Sequence, residues 1–326
     1  MEPLEAPVRE LLEQYQSMAD TPITEDHLAD LPAVRAMVSD LMSSQDLSDG
    51  PIDDVEIRDV VVDGVPVRLY RPPSDRDLPA HLYFHGGAFM FGSALSGESD
   101  DLLARRALDA QCVVASVEYR LAPEHKFPAG VEDCYTALTG LVAEAAQHGI
   151  ARDAISVGGA SSGGNFAAVV ALMARDIGGP KLCLQLLEVA GTDLTKSSAA
   201  WRNPGFGHDT TRERDLALID MYLSSIVERA HPYASPLFAP NLEGVAPAYV
   251  MNAEFDPRRD ECEAYAIRLH DAGVQVVSRT LTGHIHGSLG IPDWQAARDW
   301  RAEANAVLAS VNRFALVGRT AELPVP

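Results

Sequence analysis

The sequence predicts an α/β fold, a mostly parallel central sheet flanked by helices and topped by a helical cap. Three observations predict it. From residue 81 onward, short continuous apolar runs alternate with longer segments of helical period, the pattern of strands buried on both faces. Ahead of them, two alternating segments flank Asp63-Gly64, a hairpin signal. The stretch 194–240 then breaks the alternation with helix and no strand.

The elements follow in order. Val8, Leu11, Leu12, Tyr15 and Met18 recur at helical spacing, and Leu28, Leu31, Val34, Met37 and Leu41 repeat the pattern after Thr24, a candidate cap. These are two short amphipathic helices. From Val55 the period drops to two, through Val55 and Ile57 and then Val65, Val67 and Leu69. The strand-like runs are 81–84, 112–117, 154–157, 182–189, 248–251 and 274–278. Helical patterns occupy 100–109, 131–147, 163–176, 259–272 and 294–311. Within the interruption, Thr210, Thr211, Arg212 and Glu213 read as a capping box ahead of Leu216, Ile219, Leu223 and Ile226. An insertion placed after a strand lies over the carboxyl ends of the strands, where α/β proteins bind ligands. The organisation predicted is therefore 1–50 as cap helices, 51–193 with 241–326 as the core, and 194–240 as a cap insertion.

Of the 326 residues, 26 are Lys or Arg and 47 are Asp or Glu, a formal charge of −21. That charge excludes a nucleic acid partner and mildly repels anionic substrates. With 47% hydrophobic residues the chain has the material for a large core. No stretch approaches eighteen uncharged apolar residues, and the first residues lack a basic region followed by an apolar run, so a cytoplasmic protein with no membrane span is expected. Cys112, Cys134, Cys183 and Cys262 form no C-x-x-C pair. They read as small core residues in a reducing compartment.

The strongest chemical signal is Gly159-Ala160-Ser161-Ser162-Gly163 between a predicted strand and a predicted helix. On such a turn the serine hydroxyl is thrust out at the sheet edge, and its neighbours must be small because the turn is strained. Taken alone, the run is also a glycine-rich turn whose serine caps a helix. His85-Gly86-Gly87-Ala88 after the strand 81–84 lowers that reading, because this is where a second backbone loop completes an oxyanion hole. Ser162, the residue after the nucleophile, supplies the remaining N–H. His85 precedes the serine in the chain and is read as structural. Asp256 and His286 each follow a predicted strand, 95 residues after Ser161 and a further 30 after Asp256. This is the order Ser, Asp, His that the turn requires. His284 and His286 also resemble a metal pair, but no third ligand recurs nearby, and no metal or cofactor is expected. Asp260, Glu261 and Glu263 start a helix, where acids complement its dipole.

With these pieces assembled, the chain resembles the bacterial hormone-sensitive-lipase-like carboxylesterases, a family of the α/β-hydrolase fold. The resemblance spans 55–315. It rests on His85-Gly86-Gly87, on Val117 to His125 with Phe127-Pro128-Ala129, and on the serine turn extended by Gly164-Asn165. It rests further on Tyr233 to Leu237, Glu254-Phe255-Asp256-Pro257 and His286-Gly287. It implies Ser161 as nucleophile, His286 as base, Asp256 as the orienting acid, and a hole built from Gly86 or Gly87, Ala88 and Ser162. The implied activity is hydrolysis of a small-molecule carboxylic ester through an acyl-enzyme. Relatives that are lyases or a small-molecule receptor supply the alternatives, and oligomeric state, including a homo-oligomer, stays open.

Five departures stand out. Ala160 and Ser162 flank the nucleophile where Asp and Ala are usual. Ala88 replaces a glycine, a modest change at negative φ. Glu188 and Ser288 stand where apolar or aromatic residues are common, which suggests a more polar or roomier pocket. Glu188 ends a buried strand, where an unpaired carboxylate costs several kcal/mol; it either pairs with a nearby base or faces the pocket.

Overall fold

The computed structural model describes residues 4–19, 30–43, 52, 54–202, 210–319, 323 and 324. Two helices precede the sheet, α1 (Ala6–Ala19) and α2 (Leu31–Ser43). Asp30 caps α2 by accepting from the Ala33 N–H at 3.2 Å; Thr24 and Leu28 lie outside the described residues. Strands β1 (Glu56–Val62) and β2 (Val65–Arg71) pair antiparallel with Val62 opposite Val65. Asp63 and Gly64 both take positive φ, 46° and 86°, so their turn matches the twist of the strands it joins.

The remaining strands are β3 (Leu78–Phe84), β4 (Val113–Val117), β5 (Ile150–Ala160), β6 (Leu182–Glu188), β7 (Ala248–Ala253) and β8 (Val276–Leu281). They complete an eight-stranded sheet in the order β1-β2-β4-β3-β5-β6-β7-β8. From β4 to β8 every pairing is parallel. The registers place Phe84 beside Gly159, Ala160 beside Glu188, Glu188 beside Met251 and Ala253 beside Leu281. Strands β3, β5, β6, β7 and β8 therefore end together, and the loops after them open on one edge.

Helices α3 (Asp100–Ala110) and α8 (Gln295–Ala315) cover one face through Leu103, Ala107, Trp300, Val307 and Leu308. Burial of each of the larger of these side chains contributes roughly 1.5–3 kcal/mol relative to exposure. On the other face lie α4 (Ala129–Ala143), α5 (Ser162–Asp176) and α7 (Arg259–Asp271), whose Leu138, Phe166, Val170, Tyr265 and Leu269 fill the second core. Beta strands covered on both faces require apolar side chains on both, which is why the strand sequences run continuously apolar.

The insertion holds α6 (Arg212–Tyr222) and no strand among the described residues. Its cap sits one residue later than the sequence suggests: Thr211, not Thr210, accepts from the Arg214 N–H at 3.2 Å. A full capping box forms instead between Ser225 and Glu228. All four cysteines are free, and burial pushes the Cys112 and Cys183 thiols up to about 12. Among the described residues no helix is long and apolar enough to cross a membrane.

Candidate active site

Ser161 occupies the turn between β5 and α5 with φ 57° and ψ −119°, a conformation that costs on the order of 1–3 kcal/mol for a residue with a Cβ. Glycine on both sides is a steric necessity: a Cβ on Gly159 or Gly163 would collide with the Phe84 carbonyl. The Ser161 N–H donates to the Glu188 carbonyl at 2.9 Å, which ties the turn to the neighbouring strand.

His286 arrives from the loop after β8 and Asp256 from the loop after β7. The Ser161 hydroxyl lies 3.0 Å from His286 Nε2, and His286 Nδ1 lies 2.7 Å from Asp256 Oδ2. An N–H on Nδ1 donating to the carboxylate leaves Nε2 free to accept from the serine. Burial pushes Asp256 up, yet His286 and then Arg258 outweigh it and hold the carboxyl down at about 2.

Gly86 lies against this turn; a Cβ there would come within 3.1 Å of the Ala160 carbonyl and 3.5 Å of the Ser161 Cβ. The Gly87 carbonyl accepts from the Met90 and Phe91 N–H groups, which folds the loop into a tight turn. Ala88 departs from expectation here, since its φ is +51° rather than negative. The loop therefore holds an L residue in the left-handed region, a strain that glycine would not carry. His85 stacks on Tyr119 with ring centroids 4.2 Å apart, and the Tyr119 hydroxyl donates to the His85 carbonyl at 2.7 Å. Burial lowers the His85 pKa, and the ring braces the loop instead of facing Ser161.

Of the two readings left open for Glu188 the structure has the paired one, and the pocket expectation for Ser288 needs correcting. Glu188 is buried on the sheet face covered by α3 and α8, where its carboxylate lies 3.0 Å from Arg106 Nη1 and accepts from Trp300 Nε1 at 3.0 Å. Successive strand residues point to opposite faces, so the Glu188 main chain supports the serine turn while its side chain turns away. Ser288 is fully buried, accepting from the Ile285 N–H and donating to the Ile285 carbonyl. It closes the histidine loop on itself. His284 lies 2.8 Å from Ser288 Oγ and packs on Trp294 and Trp300; burial lowers its pKa to about 4.

Three helices outside the sheet each touch a different loop of the site. Val8 and Leu11 of α1 pack with Ile285, Ile291 and Trp294 around the histidine loop, and Glu5 accepts from Trp294 Nε1. Arg35 of α2 donates to the Met90 and Ala122 carbonyls beside the glycine loop. Tyr222 of α6 stacks on Phe89 at 4.0 Å, and Asp215 of α6 takes a 2.6 Å bond from Arg258. Sequence reading missed that last contact and the charged cluster around it. Lys196 bridges Asp215 and Glu261 at 3.2 Å each, and Trp201 Nε1 donates to Glu261. The available signal was the tandem Arg258-Arg259 directly after the acid.

Glu261 is thus more than a helix-terminal acid. Burial pushes it up to about 7 against the opposing pull of Lys196. An acid whose folded pKa is raised keeps a proton that the unfolded chain releases, so stability falls as pH climbs from about 4.5 to about 7. Relative to Glu261→Gln, the wild type is expected to lose about 3 kcal/mol across that window. Urea unfolding of both proteins at pH 4.5, 6 and 8 checks it, and a pH-independent difference would reject it.

A family model for the α/β hydrolase fold matches residues 81–290. An arylesterase of Saccharolobus solfataricus is 33% identical over 295 residues, 89% of this chain and 94% of that protein. A carboxylesterase of Mycobacterium tuberculosis is 38% identical over 241 residues, 72% of this chain and 75% of the other. Among solved structures, an esterase of Pyrobaculum calidifontis superposes with a TM-score of 0.80 at 35% identity, covering 94% of this chain and 99% of its own.

Proposed function

This chain belongs to the hormone-sensitive-lipase-like carboxylesterases of the α/β-hydrolase fold, and from that premise we propose that it is a serine carboxylesterase acting through Ser161, His286 and Asp256. His286 Nε2 takes the Ser161 proton as the oxygen attacks the ester carbonyl, and Asp256 holds the imidazole tautomer and stabilises the imidazolium. The developing oxyanion is met by N–H groups of the Gly86-Gly87-Ala88 loop and of Ser162, each lowering the barrier by about 3 kcal/mol. In support, none of the Gly86, Gly87 and Ser162 N–H groups has an acceptor among the described residues. His286 then returns the proton to the leaving alcohol, and water attacks the acyl-enzyme with His286 again as base. The acid departs and the serine is restored.

The single observation that carries this reading is the unbroken relay from Ser161 Oγ through His286 to Asp256 on a strained strand-to-helix turn. It needs no cofactor or metal. The cap comprises residues 1–50 and the insertion 194–240, and the ligand is a small-molecule ester. A cytoplasmic location accords with four free thiols.

Incubation with a p-nitrophenyl alkylphosphonate tests the nucleophile. The expected result is stoichiometric loss of p-nitrophenyl acetate hydrolysis, with one phosphonyl adduct on the peptide carrying Ser161. Inhibition without an adduct there, or no hydrolysis by the untreated protein, would overturn the reading.

A further inference from the structure

We infer that Arg258 is a positioning residue through which the cap helix α6 controls the orientation of the Asp256–His286 dyad. The inference rests on the triad assignment above. Arg258 turns back on the acid two residues before it: its N–H donates to Asp256 Oδ1 at 2.9 Å, and its Nη1 lies 3.3 Å from the same oxygen. His286 holds the other oxygen, Oδ2, at 2.7 Å. Each carboxylate oxygen thus has its own partner, which fixes the plane of the carboxylate and with it the imidazole.

The second arm of the guanidinium reaches across to the cap, where Nη2 donates to Asp215 Oδ1 at 2.6 Å. Asp215 is held in turn by Lys196, and the Trp201 ring covers both cations, 5.2 Å from the Arg258 guanidinium carbon and 4.9 Å from Lys196 Nζ. Arg258 and Asp215 are each 8% exposed, so water screens these charges weakly.

A guanidinium prefers to grip a carboxylate with two parallel N–H groups. An Arg258 released by Asp215 can close its fork on Asp256 and compete with His286 for Oδ2. Asp215 prevents this by engaging the second arm. Docking of α6 and alignment of the catalytic base are therefore two ends of one side chain, and a cap residue acts through it on the chemical step.

The test uses the full chain with p-nitrophenyl acetate, comparing wild type with Asp215→Asn, Arg258→Met, Arg258→Lys and the double variant Asp215→Asn/Arg258→Met. Asp215→Asn is expected to lower kcat roughly tenfold or more with KM within about twofold, because misalignment, not binding, is what changes. The acid limb of kcat/KM reports protonation of the dyad as a unit. Arg258, Asp215 and the Cys262 thiol lie around that dyad, and Lys196, Glu261 and Asp193 complete the charged cluster behind them. Removing the Asp215 charge moves the limb to lower pH, and removing the Arg258 charge moves it to higher pH. Arg258→Lys keeps the limb in place but recovers only part of kcat, since one ammonium cannot reproduce the fork. The double variant is no slower than Arg258→Met alone.

Wild-type kcat and an unmoved acid limb in both single-charge variants would overturn the inference, as would losses confined to thermal stability. Additive losses in the double variant would do the same. Should Arg258→Met fail to fold, Asp215→Asn and Arg258→Lys decide by the same two readouts. Ser161→Ala, measured alongside, separates the failures: full activity there removes the triad assignment itself, whereas an inactive Ser161→Ala beside unaffected Arg258 and Asp215 variants removes only this inference.

Discussion

Replacing Ser161 with Ala is expected to lower kcat for ester hydrolysis by roughly 10⁵- to 10⁶-fold, because nucleophile and base act as one unit. His286→Ala should fall as far, and the double variant no further. Asp256→Asn is expected to lose about 10⁴-fold, since an amide in place of the carboxylate favours the wrong imidazole tautomer. The buried carboxylate holds His286 Nδ1 at 2.7 Å, and Asn presents that nitrogen with a donor as readily as an acceptor. Steady-state assays with p-nitrophenyl acetate on folded variants check all three. Turnover by Ser161→Ala within about tenfold of wild type would exclude an acyl-enzyme on this residue.

The second large effect is on stability. Arg106 and Glu188 are each 1% exposed and face one another at 3.0 Å. Arg106→Met leaves a carboxylate buried without its cation, a loss of about 3–5 kcal/mol. Replacing both together, as Arg106→Met with Glu188→Leu, is expected to recover most of that, because the desolvation penalty disappears along with the attraction. Relative rates among polar and apolar esters should stay unchanged, since the pair lies under the sheet. Thermal unfolding and a short ester panel distinguish the outcomes. A shift in ester preference at unchanged melting temperature would mean that Glu188 reaches the ligand.

What could be read in the sequence was whatever depends on local chain geometry. The strand runs, the glycines around Ser161 and the order of Ser161, Asp256 and His286 all express backbone constraints, and each has its counterpart in the structure. What could not be read depends on partners distant in the chain. Nothing near Glu188 shows that Arg106 and Trp300 wait on one side of the sheet. Glu261 carries the signature of a helix-terminal acid, and only folding brings Lys196 and Trp201 onto it. Ala88 is a subtler failure. Its positive φ is imposed by the turn that follows Gly87, against the preference of its own side chain. The one-residue shift of the α6 cap has a similar cause, for two adjacent threonines offer equivalent hydroxyls and the helix start selects between them.

The seat of α1 on the histidine loop also sets a timetable for synthesis. Val8 and its partner Ile285 are 285 − 8 = 277 positions apart, so α1 waits for a loop made long after it before its apolar face is covered. Contacts so distant in the chain form late, because the intervening loop must close before they return any stabilisation. Until then Val8 and Leu11 are without their native partners, and a nascent chain in that condition invites association with its neighbours. The loop that carries His286, the proposed base, is fastened by the same late contact. In a growing polypeptide the sheet can therefore assemble strand by strand, while hydrolytic competence arrives only when α1 and the histidine loop meet.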